Sequence, residues 1–211
     1  MVARILFLNA LVFLLWKLFG YTTESAQWMQ DHFLVSWQGL AEGRLWTLVT
    51  SEFSHNLFLH FLVNMFVLRS FGRVLERVLG PRLFLRFYLA AAVVASLGHC
   101  LVSSLLLNQP ELPALGASGA ISGLVLLFSL LYPREMILVF GLIPVPAIFG
   151  ALAFIGLDIW GLMTQIEGGG LPIGHGAHLG GAFSGIIFYF LYLRKKILAK
   201  ESNSIERQMK C

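Results

Sequence analysis

Apolar residues in this chain do not alternate with polar ones; they gather in long runs covering 2–19, 57–79, 83–106, 117–131, 147–163 and 177–193. About 20 such residues wound as a helix match the hydrocarbon thickness of a bilayer, so the pattern predicts six membrane-spanning helices, the fourth of them short. The breaks between runs carry helix-stopping residues: Gly80-Pro81, Pro110 and Pro113, Pro133, Pro144 and Pro146, and Gly168 to Gly170 ahead of Pro172. Arg4 before the first run gives it the look of a signal peptide. No small-x-small cleavage site follows at the right distance, so it is expected to remain as a helix. The segment from 20 to 56 is too long for a turn. Its Trp28, Phe33, Trp37 and Trp46, set among polar residues, predict short helices in the interface or an aromatic belt that anchors the loop.

Composition narrows the class. Of 211 residues, 57% are hydrophobic and only 12% charged, with a mean hydropathy of +0.78, whereas a soluble domain is about a quarter charged. Disorder and a collagen-like chain are excluded by the apolar content, and a disulfide-stapled secreted fold by the presence of only 2 cysteines. Neither Cys100, inside an apolar run, nor Cys211 suggests a disulfide. The expected organisation is a six-span core over 1–193 and a basic cytoplasmic tail over 194–211.

Charge then supplies an orientation, because basic loops resist translocation. Arg4, the five arginines from Arg69 to Arg86, Arg134 and the six basic residues from Arg194 onward fall on one side of a six-span arrangement, thirteen of the 15 in all. Lys17 and Arg44 alone lie opposite, together with Glu24, Asp31, Glu42, Glu52, Glu111 and Glu167. Both termini are therefore expected in the cytoplasm. A basic inner face beside anionic lipid accounts for the net charge of +4 without a nucleic-acid partner.

Polar side chains inside the spans are the candidates for chemistry, since hydrocarbon penalises them. His60 and Asn64 are one helical turn apart and share a face, with His55 just before them; alone, such a pair reads equally as an interhelical hydrogen bond. Gly116-Ala117-Ser118-Gly119 opens the fourth run, placing a hydroxyl where backbone N–H groups are free and the helix dipole favours negative charge. A plain cap or a small-residue packing surface is the alternative there. His178 precedes Gly181 and Gly185, whose small-xxx-small spacing lets the last span approach a neighbour closely. If that neighbour is the fourth span, His178 reaches Ser118 as a general base. His55, His60, His99, His175 and His178 could instead serve a metal, but no HExxH or paired-cysteine spacing is present, so no metal is expected. Asp158 in the fifth run admits a transport relay; lacking inverted halves around it, the chain favours a structural hydrogen bond.

Together these segments resemble the rhomboid family of intramembrane serine proteases. The resemblance covers 55–185 and rests on His60-Phe61-Leu62-Val63-Asn64 with Phe71-Gly72 and Glu76, on Gly116-Ala117-Ser118-Gly119, and on Ala177-His178-Leu179-Gly180-Gly181 with Gly185. It implies an all-α integral membrane protein, a six-transmembrane-helix rhomboid-like bundle. Ser118 would be the nucleophile and His178 the base, a dyad without a carboxylate, and cleavage would survive Asp158→Asn. His60, Asn64 and the Ser118 backbone N–H would form the oxyanion hole, and Glu76 would be a structural acid. By the same resemblance the first loop is membrane-embedded, the fifth span is a lateral gate, and no cofactor is needed. The substrates implied are single-pass transmembrane proteins cut near the outer face. A bacterial plasma membrane is expected from the compact core, the short tails and a composition unlike a transit peptide, and the need for water at Ser118 predicts a polar cavity open to the outer side. Two positions depart from the family pattern: Thr47 follows Trp46 where arginine is common, and Ser122 stands where an aromatic often packs under the catalytic histidine. A sorting-type rhomboid acting on C-terminal anchors, and a non-catalytic rhomboid-like protein that binds membrane segments, are the alternatives.

Overall fold

The computed structural model describes residues 1–19, 22–139 and 142–196; the tail expected beyond these, 197–211, lies outside the described residues. In chain order the helices are α1 (Val2–Phe19), α2 (Thr23–Phe33), α3 (Trp37–Ala41), α4 (Thr47–Thr50), α5 (Phe58–Leu79), α6 (Pro81–Leu105), α7 (Ser118–Leu131), α8 (Ala147–Ile166) and α9 (His175–Phe188). A 3-10 turn, Ser51–Phe53, follows α4, and a π turn, Tyr189–Leu193, extends α9 so that the last apolar helix runs to Lys196.

Among the described residues five helices are long and apolar enough to cross a membrane, and the fourth run, already short in the sequence, is not one of them. The fourth run forms the 14-residue α7, about 21 Å long at 1.5 Å per residue, against a hydrocarbon core of about 30 Å. Protein surrounds it, so it does not need to match the lipid: ten of its residues are buried. Nor is the chain wholly helical. Met136–Val139 (β1) and Ile143–Pro146 (β2) pair antiparallel between α7 and α8. Pro144 and Pro146 lack the N–H of a ladder donor, which confines such a strand to an edge and keeps this sheet at two strands.

α6, α7 and α9 form the centre. Buried side chains of α6, among them Phe84, Phe87, Tyr88, Ala91 and Ala92, pack against Ala120, Leu124 and Leu127 of α7. α9 enters between them by offering glycine on two faces. On one, a Cβ at Gly176 or Gly180 would come within 2.9 Å of the Gly98 carbonyl oxygen or 2.8 Å of that of Val94, both on α6. On the other, a Cβ at Gly181 would run into the Gly119 carbonyl, and one at Gly185 would lie 2.6 Å from the carbonyl oxygen of Gly123, both on α7. Backbone contact of this kind gives van der Waals packing without side-chain ordering, which drives helix association in lipid.

The segment between α1 and α5 contains the expected short helices. Ser36 caps α3 by accepting from the Gly39 N–H at 3.0 Å. Arg44 donates to Asp31 at 3.2 Å and pairs with Glu42 at 2.8 Å, while the Thr47 hydroxyl donates to the Arg44 carbonyl at 2.6 Å. The segment is thereby anchored with Thr47 in place. At the other end of α5, Glu76 accepts from the Val2 N–H at 3.0 Å and ties α5 to α1.

Candidate active site

The nucleophile candidate sits where a loop becomes a buried helix. Gly116 turns the chain with φ +112°, open to glycine and strained for other residues. The segment 51–55 lies behind this turn and satisfies its backbone donors. Gly116 N–H donates to the Ser51 carbonyl at 2.9 Å, Ala117 N–H to His55 Nε2 at 3.4 Å, and Ala120 N–H to Glu52 Oε2 at 3.3 Å. Among the described residues the N–H groups of Ser118 and Gly119 have no protein acceptor. Two unspent donors at a helix N-terminus favour a developing negative charge.

The two templating side chains suit that work electrostatically. Burial, helped by the neighbouring His60, pushes the His55 imidazole down to about 3, so it is neutral and can accept. Burial pushes the Glu52 carboxyl up to about 8, opposed by its bond from Ala120. No full negative charge is therefore fixed beside the free donors at neutral pH.

His178, on the first turns of α9, faces this turn. The Ser118 hydroxyl donates to His178 Nε2 at 2.9 Å. His178 Nδ1–H donates to Asp158 Oδ1 at 2.9 Å, and His175 Nδ1–H donates to the same oxygen at 2.7 Å. The resemblance implies a pair without a carboxylate; the structure places one against His178. Asp158 is 4% exposed. The Phe154 ring, one turn earlier on α8, lies 5.4 Å from that of His178. It supplies from another helix an aromatic neighbour that Ser122 does not, since the Ser122 hydroxyl donates back to the Ser118 carbonyl at 2.7 Å.

The other expected residues divide. His60 stands over the turn: a Cβ at Gly116 would lie 3.0 Å from its Nε2. Asn64 is buried on the same helix face and donates an amide hydrogen to the His60 carbonyl at 2.8 Å; among the described residues it makes no hydrogen bond to the Ser118 turn. His99 Nε2–H donates to the Leu112 carbonyl at 2.9 Å, fixing the loop before α7 rather than joining a cluster. A polar cavity of about 290 Å³ in the segment between α1 and α5, lined by Gln27, Gln30, Asp31, Ser36 and Arg44, does not take in Ser118 or His178.

A metal could be sought at Asp158, His175 and His178, whose potential ligand atoms lie within 4.8 Å of one another. Ligand atoms about 2.0–2.1 Å from a tetrahedral zinc stand roughly 3.3 Å apart. Here each Nδ1 is within 2.9 Å of one oxygen, which is hydrogen-bond spacing.

Sequence reasoning left Glu52, His55, His175 and Phe154 without roles and gave Asp158 only a structural one. Part of this was legible: 154, 158 and 161 are spaced i, i+4, i+7 and share one face of α8. The contribution of 51–55 was not, because it depends on a contact across more than sixty residues.

Residues 42–195 match the family described as Rhomboid domain. The chain belongs to the rhomboid family. Among its relatives are RHOMBOID-like protein 12, mitochondrial, of Arabidopsis thaliana, 35% identical over 82% of this chain and 53% of the relative, and Rhomboid protein 1, mitochondrial, of Saccharomyces cerevisiae, 33% identical over 93% and 54%. YdcA of Bacillus subtilis is 32% identical over 90% of this chain and 88% of its own length. The chain spans about half the length of the first two rhomboids.

Proposed function

We propose that this rhomboid is an intramembrane serine endopeptidase that cleaves single-pass transmembrane proteins near the outer membrane face. The observation that carries the reading is the 2.9 Å bond from the Ser118 hydroxyl to His178 Nε2, at a helix start whose next donors are free. In this reading Ser118 Oγ attacks the scissile carbonyl as its proton passes to His178 Nε2. The carbonyl oxygen, now negative, is received by the Ser118 N–H with His60 and Asn64 as further donors. His178 returns the proton to the leaving amine, and water, deprotonated by the same nitrogen, releases the acyl group from Ser118. Removing one oxyanion donor costs about 10²–10³ in kcat in soluble proteases, and the same range is expected for His60→Ala. No cofactor enters the scheme. The sided distribution of basic residues supports both termini inside, and this reading takes the membrane to be a bacterial plasma membrane.

The test is cleavage of a tagged single-span protein in vesicles by wild type, Ser118→Ala and His178→Ala. Loss of product in both variants is expected. Cleavage that persists in Ser118→Ala would overturn the serine mechanism, and binding of the single-span protein without cleavage by wild type would favour a non-catalytic role.

A further inference from the structure

A neutral imidazole carries one proton, and for His178 to accept from Ser118 that proton must sit on Nδ1. Something has to hold it there. The only group within hydrogen-bond distance of Nδ1 among the described residues is Asp158 Oδ1, at 2.9 Å. An ionised carboxylate accepts and cannot donate, so this contact selects the tautomer whose Nε2 lone pair faces the serine.

The placement of that carboxylate is expensive. Asp158 is the single polar residue between Ala147 and Met163 of its helix, and among the described residues its Oδ2 is buried without a partner. A buried carboxylate is tolerated where donors compensate it. Here both donors are imidazoles, and both approach Oδ1. His175, at the N-terminus of α9, is 2.7 Å from that oxygen, and its ring lies where a Cβ on Gly161 would stand. Gly161 thus leaves room for the ring that steadies the carboxylate. Two bonds from one helix converging on one oxygen of another fix the carboxylate orientation more firmly than either could alone.

We infer that Asp158 is a third member of the catalytic array, a positioning residue on α8 that holds His178 in the tautomer and orientation needed to take the Ser118 proton. The assignment rests on the protease reading above and reverses the expectation that cleavage survives Asp158→Asn. The proton that leaves Ser118 goes to Nε2, Nδ1 keeps its own, and Asp158 stays ionised beside the resulting imidazolium. His175 acts one step further out, on the carboxylate.

The experiment uses the full chain in detergent micelles and a fluorophosphonate, which phosphonylates an activated serine and releases fluoride. Labelling at Ser118 is located by peptide mass, and kinact and KI are measured for wild type, Asp158→Asn, Asp158→Glu and His175→Ala, with Tm recorded for each. Asp158→Asn is expected to lower kinact on the order of 10²–10⁴-fold while KI stays within about threefold, as for removal of the orienting carboxylate in soluble triads. Asp158→Glu should recover part of the loss. His175→Ala removes the other α8–α9 bond to Asp158 while leaving that of His178, and is expected to cost no more than about tenfold. An Asp158→Asn rate within about threefold of wild type overturns the assignment. So does a His175→Ala loss as large as that of Asp158→Asn, which would make Asp158 a helix tie only. If Asp158→Asn does not survive purification, Asp158→Glu decides, because a kinact equal to wild type in a carboxylate displaced by one methylene contradicts a positioning role. Failure of wild-type Ser118 to label overturns the protease reading itself, a result separable from the others because no variant then differs from wild type.

Discussion

α7 and α8 are neighbours in sequence and supply opposite sides of the same site, yet they are built differently. Ten of the 14 residues of α7 are buried, and its backbone touches that of α9 through paired glycines. α8 buries four of its 20, namely Ala147, Ala151, Asp158 and Gly161, all on one stripe. Of its most apolar stretch 17% is buried in protein, against 44% for α6. Ser118 is therefore carried by the most confined helix and the carboxylate behind His178 by a loosely held one. In lipid this division has a physical basis. Apolar side chains gain nothing by leaving lipid for protein, so a helix stays only where small residues permit close packing or polar groups bond. α8 has both on a single stripe, and its Asp158 bonds do two things at once: they dock the helix and complete the site.

If that contrast is right, substitutions on the two helices should differ sharply in kind. The largest effect is expected from Gly181→Leu. Its side chain would enter the space of the Gly119 carbonyl, part of a backbone that cannot move aside, so the cost should exceed the roughly 1–3 kcal/mol of ordinary overpacking. Loss of a monodisperse, cooperatively melting protein in detergent is the measurement, and a wild-type Tm for this variant would refute the backbone-contact account.

A smaller, pH-dependent effect concerns the template behind α7. The Glu52 carboxyl is raised from 4.5 to about 8, so between these values the folded protein holds a proton that the unfolded chain releases. Stability from this group is fully present below pH 4.5 and is lost as pH rises through about 8. Tm measured across that window should fall in wild type and fall less steeply in Glu52→Gln, which keeps an acceptor for Ala120 but does not ionise. Identical slopes would show that Glu52 is not the group responsible.

The smallest effect belongs to the lipid-facing side of α8. Leu157 is 62% exposed, and nothing lies within 4 Å of a Cβ built at Gly156. Leu157→Ala and Gly156→Ala should each change stability by no more than about 0.5 kcal/mol, with labelling rates at Ser118 unchanged. A large loss of labelling in either would mean that α8 acts as a unit rather than through one stripe.

How far the site could be read in advance follows the same physical line. Ser118, His178, His60 and Asn64 stood out as candidates because each belongs to a local pattern whose residues are consecutive or one turn apart; the structure brings Ser118 and His178 together and sets His60 over the turn, while Asn64 bonds the His60 carbonyl. The packing of α9 against α7 was legible too, since Gly181 and Gly185 have no other evident use in a span. Asp158 was visible as an anomaly in an apolar run, but its partner was not. Glu52 looked like one more acidic residue of an outer loop, and nothing near it in sequence separates it from Glu42, which pairs with Arg44 at the surface.

The sequence by itself determined that this chain is a membrane protein, roughly where its helices run, and which short motifs hold the candidate site residues. Those properties follow from hydropathy and from helical periodicity, which act over tens of residues or fewer. Tertiary structure decided that one apolar run is a short, largely buried helix and that a hairpin joins it to α8. It also decided that a carboxylate stands behind His178 and that residues 51–55 quiet the donors around Ser118. Each of these depends on which surfaces meet, and glycine, by letting backbones touch, leaves no side-chain signature of the partner it admits.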